Sequence, residues 1–261
     1  MKTFFSESIA DYRTYTFNYS IYAIREPGDR LEDIYGKGFL PYSAQTNIES
    51  EVFYLARSLR VDLANFTDTS ENRRVNRLVE PLQLTLEVVP KSEVDLEDPV
   101  FQAFCSSYIS ERIGDDHMSE ARWKYILSWD LGSHLFRFTF PDGKLAGFVL
   151  AAMDDEIVHY WFAFFDTAYM RTHSLGKWMM WRVIAWAKEN QRRYVYLGTA
   201  YKPGALYKIR DHKGLRFFDG LQWNEDMKSL KAQCEQDETP LSMDRFKLLE
   251  EPQLFLNSLL R

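Results

Sequence analysis

Residues 173–201 read HSLGKWMMWRVIAWAKENQRRYVYLGTAY, a polar turn, a helix, a tight connection and a strand that ends on glycine. The turn Ser174-Leu175-Gly176 opens the helix, with Ser174 placed as its N-cap. Apolar residues recur at Leu175, Met179, Val183, Trp186 and Ala187, the spacing of one helical face. Asn190-Gln191 ends that pattern, and Tyr194-Val195-Tyr196-Leu197 has the composition of a strand. A strand–helix–strand unit of this kind sets a helix N-terminus, with its free N–H groups and positive dipole end, at the mouth of a sheet. Such a mouth suits a phosphate or the polar end of an activated acyl donor.

Around this stretch lie 261 residues, 46% hydrophobic and 16% aromatic, enough for one large or two modest packed domains. No apolar run reaches the roughly 18 residues that a spanning helix needs, so no membrane partner is expected. The opening MKTFFSESIADYRTY lacks an apolar signal core, which points away from secretion. Cys105 and Cys234 read as unpaired thiols in a reducing cytoplasm. His117, His134, His159, His173 and His212 show no ligand spacing, and neither metal nor cofactor is expected. The net charge is −6, yet residues 171–216 hold eleven Lys and Arg against Glu189 and Asp211. This is either a basic patch of the kind a tRNA acceptor arm needs, or a solvated helix face with basic loops. Nothing points to DNA.

Working outward, residues 11–24 alternate aromatic and polar (Tyr15, Phe17, Tyr19, Ile21), a strand pattern. Residues 33–41 read as the end of a helix or strand before a Gly-x-Gly loop, and residues 52–63 as one further strand. Thr69-Ser70 caps a helix over 71–79, and residues 82–89 are extended. The polar, proline-bracketed run 90–99 marks a boundary. Helices follow over 100–113 and 119–129, the second capped by Ser119. Three extended runs, 134–140, 144–153 and 157–165, are punctuated by Pro141-Asp142-Gly143 and Asp154-Asp155, which predicts an antiparallel meander. A last extended piece spans 215–218, and the tail from Glu225 reads as helical with a break at Thr239-Pro240. The division expected is an N-terminal α+β region (1–90), a transferase domain (91–224) and a C-terminal helical tail (225–261).

SLG, a helix, then YVYLG-x-x-Y resembles the C-terminal half of the aminoacyl-tRNA–protein transferases, the arginyl and leucyl transferases of the N-degron pathway. Gly143-Lys144-Leu145-Ala146-Gly147, Asp154 and the run 160–166 are similar to that family's G-x-L-x-A-V…D…Y-x-F-x-D-P pattern. Asn72-Arg73-Arg74-Val75-Asn76-Arg77 resembles its S-x-x-R-R-x-x-R segment. The likeness runs in order over residues 35–223, which one chance motif would not produce. It implies an α+β fold, a GNAT-like acyltransferase domain with a mixed, mainly antiparallel sheet flanked by helices, beside a smaller N-terminal α+β region. The succession of two helices, a meander, a helix and a strand agrees. The implied activity moves an amino acid, Arg or Leu, from aminoacyl-tRNA to the α-amine of an acceptor protein or peptide with an acidic first residue.

In such a transfer the ester is already activated, so proximity and oxyanion donors suffice and no strong nucleophile is needed. No nucleophile elbow or Cys–His pair is present. The resemblance places Asp166, Gly198 and Lys208 in the catalytic set. Donor binding falls to Ser174, Leu175, Gly176, Tyr196, Tyr201 and Lys202, and acceptor binding to Arg73, Arg74, Tyr207 and Arg210. Each has a plain alternative: Gly198 a strand-ending glycine, the tyrosines core residues, Asp166 a turn former, the cations a solvated surface. The loop YKPGALYKIR keeps the family's Tyr-Lys pair two residues out of register and lacks its cysteine, and no cysteine stands between 41 and 54. Two rival readings stay open. One is an acyl-CoA-dependent N-acetyltransferase, for which Arg171-Thr172-His173-Ser174-Leu175-Gly176 lacks one glycine of the usual pyrophosphate loop. The other is a non-catalytic relative that binds tRNA or a degron.

Overall fold

Alternating aromatic strands at the N-terminus build a sheet of their own. The computed structural model describes residues 1–12, 16–44, 48–114 and 116–237, so Tyr15, Gln45 and the break expected at Thr239-Pro240 lie outside the described residues. Strands β1 (Lys2–Asp11) and β2 (Thr16–Ile24) form an antiparallel hairpin, followed by helix α1 (Leu31–Gly36). Strands β3 (Phe39–Pro41) and β4 (Val52–Leu55) complete a four-stranded sheet in the order β1-β2-β4-β3.

The run 52–63, expected as one strand, is two. It breaks at Ala56-Arg57, and β5 (Ser58–Asp62) crosses into a second sheet. Distant partners impose the break, because the Ser58 hydroxyl donates to the Gly38 carbonyl at 2.7 Å and the Arg57 amide to the Tyr201 hydroxyl at 2.9 Å. Helix α2 (Ser70–Val79) then opens on a reciprocal cap. Thr69 Oγ1 accepts from the Asn72 amide at 3.1 Å, and Asn72 Oδ1 accepts from the Thr69 amide at 2.9 Å. Strand β6 (Thr85–Pro90) leads to α3 (Pro99–Tyr108), whose final turn widens over Ile109–Ile113, and to α4 (Glu120–Ser128), capped by Ser119 as expected.

Strands β7 (His134–Thr139), β8 (Leu145–Met153) and β9 (Ile157–Phe165) form the expected meander. Its turns rest on Gly143, at φ +84°, and on Asp154, whose carboxylate accepts the Glu156 and Ile157 amides at 2.9 Å each. Helix α5 (Leu175–Glu189), β10 (Tyr194–Thr199), β11 (Leu215–Phe218), β12 (Trp223–Asn224) and α6 (Met227–Gln236) complete the described chain. The larger sheet runs β12-β11-β5-β10-β9-β8-β7-β6 and is antiparallel except for β9–β10. Helices α2, α5 and α6 pack on one face, while α3, α4 and the small sheet cover the other. The chain is α+β, a mixed, mainly antiparallel sheet flanked by helices. The division expected near residue 90 does not separate the sheets, because β5, α2 and β6 belong to the larger layer.

Helix α5 lies close on β8 at Gly147. A Cβ there would sit 2.7 Å from the Phe164 carbonyl oxygen and 2.8 Å from Met179 Sδ. The sulfur can shift; the carbonyl is part of the ladder. Gly147→Ala is expected to destabilise the fold by about 1–3 kcal/mol in urea unfolding, and an unchanged midpoint would contradict this packing.

Candidate functional site

Strands β9 and β10 pair over three positions only, Ile157–Tyr194, Val158–Val195 and His159–Tyr196. Beyond them β9 runs on to Phe165, while β10 follows β5 through a register shift between Tyr196 and Gly198. A second shift, between Leu150 and Ala151, makes Trp161 the extra residue on β9. Each bulge bends its strand, and together they part the two. Gly198 stands at the parting with φ +79°, a conformation that favours glycine. The β9–α5–β10 crossover joins parallel strands, so the N-terminus of α5 lies at this same end. Gly176 seats that helix start against β9, since a Cβ would fall 2.5 Å from the Phe165 ring.

Lys208 reaches into the parting from the turn Pro203–Ile209. Its Nζ donates to the Thr199 carbonyl at 3.0 Å and lies 3.5 Å from where a Gly198 Cβ would be. Burial lowers its pKa to about 8, and no carboxylate among the described residues offsets that loss of hydration. His159, 2% exposed, holds its Nδ1 3.0 Å from the Tyr35 hydroxyl. Burial and, secondarily, the charge of Lys208 push its pKa down to about 3.

The expected residues divide around this centre. Gly198, Lys208 and the 174–176 turn share the parting end, and Asp166 terminates β9 beside it. The Asp166 carboxylate caps the next turn through the Ala168 amide at 3.0 Å. Ser174 is not the side-chain cap expected: it takes φ +53°, and its side chain makes no capping bond. Leu175 is fully buried, so only its backbone faces outward chemistry. Tyr196 is a core residue, its ring 4.8 Å from Tyr35 and 5.7 Å from Trp223. Tyr201 braces the β4–β5 break, its ring 4.9 Å from the Arg57 guanidinium. The Lys202 amide donates to Asp237 at 2.8 Å. Tyr207 and Arg210 are exposed on the covering turn.

Arg73 and Arg74 are engaged at the start of α2 rather than held open for an acceptor. Arg74 makes two bonds of 2.7 Å to Glu71, and Arg73 donates to the Asp68 carbonyl at 3.1 Å. Hydrogen bonds from Arg74 and then Lys177 lower the Glu71 pKa to about 2. Five of the eleven cations of the basic run are likewise matched. Lys177 pairs with Glu71 and Asp211, Arg182 with Glu189, Arg192 with Asp155, Arg193 with Glu32 and Glu156, and Arg216 with Glu225.

Sequence reasoning missed the Tyr35–His159 pair, which joins residues 124 apart and leaves no local signal. It also missed a cavity of about 950 Å³ beside the parting end, walled by Tyr108, Phe165 and Asp166 among others. Among the described residues, no group of three or more His, Cys, Asp or Glu side chains is arranged to hold a metal ion. No helix among them is long and apolar enough to cross a membrane.

The buried imidazole gives a pH test. Its pKa falls from the ordinary 6.5 to about 3, so the unfolded chain binds the proton first and stability is lost as pH drops below 6.5. Each such group steepens the loss by up to about 1.4 kcal/mol per pH unit. His212, lowered to about 4 by burial, adds to the same window. His159→Asn is expected to flatten urea-measured stability between pH 6.5 and 5; an unchanged slope would contradict a buried neutral imidazole.

Comparison with known proteins bears on the parting and its helix. The family described as Acetyltransferase (GNAT) domain matches residues 73–209, just over half of the chain. No curated protein matches. Among solved structures, the C-terminal domain of a putative lysylphosphatidylglycerol synthetase from Agrobacterium fabrum is 19% identical, with a TM-score of 0.42, over 56% of this chain and 46% of that one. L-PGS from Bacillus licheniformis is 13% identical, TM-score 0.41, over 55% and 44%. A conserved protein of unknown function from Bacteroides thetaiotaomicron is 13% identical, TM-score 0.43, over 72% and 65%. This chain thus spans less than two thirds of each of these chains, and similarities this distant carry no argument. The family match covers α2 through Lys208, including the parted strands and the helix that starts beside them, and the chain belongs to the acetyltransferase (GNAT) domain family.

Proposed function

We propose that the chain transfers an aminoacyl group, arginyl or leucyl, from the 3′ end of a charged tRNA to the α-amine of an acceptor peptide or protein. One observation carries this reading. The two motifs most similar to aminoacyl-tRNA–protein transferases, SLG and YLG, lie at one end of the sheet with Lys208 between the parted strands. The acidic first residue that the resemblance implies for the acceptor is not retained, because six carboxylates face two cations in the lining of the neighbouring cavity.

In the reaction the acceptor nitrogen attacks the ester carbonyl carbon, the carbon–nitrogen bond forms, and the bond to the ribose oxygen breaks. The nitrogen loses a proton and the departing ribose oxygen gains one. Lys208 is placed to carry it. With a pKa of about 8, roughly a tenth of its amine is neutral at pH 7, and the neutral amine keeps a lone pair while still donating to Thr199. The amide of Leu197, the extra residue of the β10 bulge, is the oxyanion donor assigned here.

A specific observation favours a second reading, transfer from an acyl-CoA. Ser174 adopts the left-handed conformation at φ +53° that a glycine of the pyrophosphate loop would supply. Radiolabel transfer separates the two. Counts moving from arginyl- or leucyl-tRNA to peptide, with none from acetyl-CoA, support the aminoacyl reading. The reverse supports the CoA reading, and no transfer from either contradicts both.

Lys208→Met is expected to slow transfer about 100-fold or more. The acceptor amine titrates in both proteins, so the difference between their pH–rate profiles isolates the lysine. The wild-type profile should carry an added rise through about pH 8; identical profile shapes would remove Lys208 from proton transfer.

A further inference from the structure

The cavity of about 950 Å³ beside the parting end is unexplained by the donor site. Its volume lies near the upper end of the range for small-ligand sites, about 300–1,000 Å³. The floor is apolar: Phe101 and Phe104 from α3 line it, with Val100 left 74% exposed. A large aliphatic side chain open to water within a cavity gains by being covered.

The walls carry a net negative charge. Six carboxylates line the cavity, Glu93, Asp95, Asp98, Glu111, Asp142 and Asp166, against two cations, Arg137 and Lys144. Both cations are already matched, Lys144 with Asp142 at 3.0 Å and Arg137 with Glu87, which is not part of the lining, at 3.5 Å. Asp142 is neutralised by Lys144, while four of the other carboxylates are fixed by neutral donors. Glu111 accepts from the Ser107 and Thr167 hydroxyls, and Asp95, Asp98 and Asp166 accept the backbone amides of Glu97, Val100 and Ala168. Such contacts hold the oxygens in place without neutralising them. An anionic ligand meets repulsion here, and a cationic one is drawn in.

The position links cavity to chemistry. Asp166 and Phe165 end β9, and Gly176 of the α5 start packs on the same Phe165 ring. Tyr108 walls the cavity with its ring 5.1 Å from both Phe164 and Phe165. A chain lying on this floor ends where the strands part.

We propose that this cavity seats the N-terminal segment of a cationic acceptor peptide, with Lys or Arg close behind the reacting α-amine. The apolar floor takes the methylene stems, and the carboxylates take the charged heads. This assignment rests on the amine-acylating reading given above, and it names the acceptor's class.

Direct binding tests it without any donor. Fluorescence anisotropy of the full chain is measured with a labelled arginine-rich peptide, an aspartate-rich peptide of equal length, and spermidine as competitor. The basic peptide is expected to bind, less tightly as salt is raised, and the acidic peptide not to bind. Glu93→Gln combined with Glu111→Gln should weaken the basic peptide roughly tenfold, within the range for a pair of partly solvated charges. Should the double variant unfold, Glu93→Gln alone, at an exposed side chain, is expected to weaken binding about threefold. Unchanged affinity in the folded variants, preference for the acidic peptide, or binding of spermidine but no peptide would overturn the assignment. Basic-peptide binding with no transfer from any donor would leave the cavity assignment standing and remove the reaction. Transfer to an acidic peptide without basic-peptide binding would do the opposite.

Discussion

Three paired positions hold β9 to β10, and the arrangement of the reacting end follows from the pairing stopping there. Parallel neighbours in the middle of a sheet ordinarily stay in register along their length, because every unpaired amide in the interior costs free energy. Here the bulge at Leu197 sends β10 along β5, and the bulge at Trp161 turns β9 toward α3. The backbone is thus opened at the end where the crossover helix begins. The packing around the opening is rigid: Leu175, Met179, Val183 and Ala187 of α5 are fully buried against the sheet. In the proposed reaction, a rigid frame with one parted seam would place a donor's carbonyl against fixed backbone groups, which is most of what transfer from an activated ester asks of a protein.

Electrostatics at the seam are set by burial more than by charge pairs. Lys208 is partly buried, its Nζ on the Thr199 carbonyl and 5.9 Å from the Tyr207 ring, and burial likewise keeps His159 neutral. A buried ammonium without a counter-ion costs the fold stability, and such groups cluster where chemistry needs a shifted pKa. The contrast with the rest of the basic segment is instructive. Lys177, Arg182, Arg192 and Arg193 are matched by carboxylates, so they stabilise the surface and give up reach toward a phosphate backbone. In the proposed reaction, docking of tRNA would depend on the helix start and the cations left without an ion pair. The acidic cavity beside the end of β9 would, in that proposed reaction, keep the two substrates' charges apart.

Much of the fold was legible because its signals are local. The three extended runs over 134–165 and the turns at Gly143 and Asp154 gave the meander, and Thr69-Ser70 gave the start of α2. The break at Ala56-Arg57 was hidden, since alternation continues through it and its causes, Gly38 and Tyr201, are remote. Ser174 shows how residue type and conformation part company: serine is a common cap, but here it stands in the left-handed region and caps nothing. At the candidate site, the resemblance singled out Gly198 and Lys208, which the structure brings together. Burial of the lysine, the pairing of the basic run and the acidic cavity arise from segments far apart in sequence, so no window of residues contains them.

The most direct measurement follows backbone amide resonances while a non-hydrolysable aminoacyl-adenosine, its ester replaced by an amide, is titrated into the isotope-labelled protein. The account predicts saturable shifts concentrated at 174–176 and 197–199, the helix start and the parted strand. Shifts confined to other segments, or none at saturating ligand, would contradict a donor seat between β9 and β10.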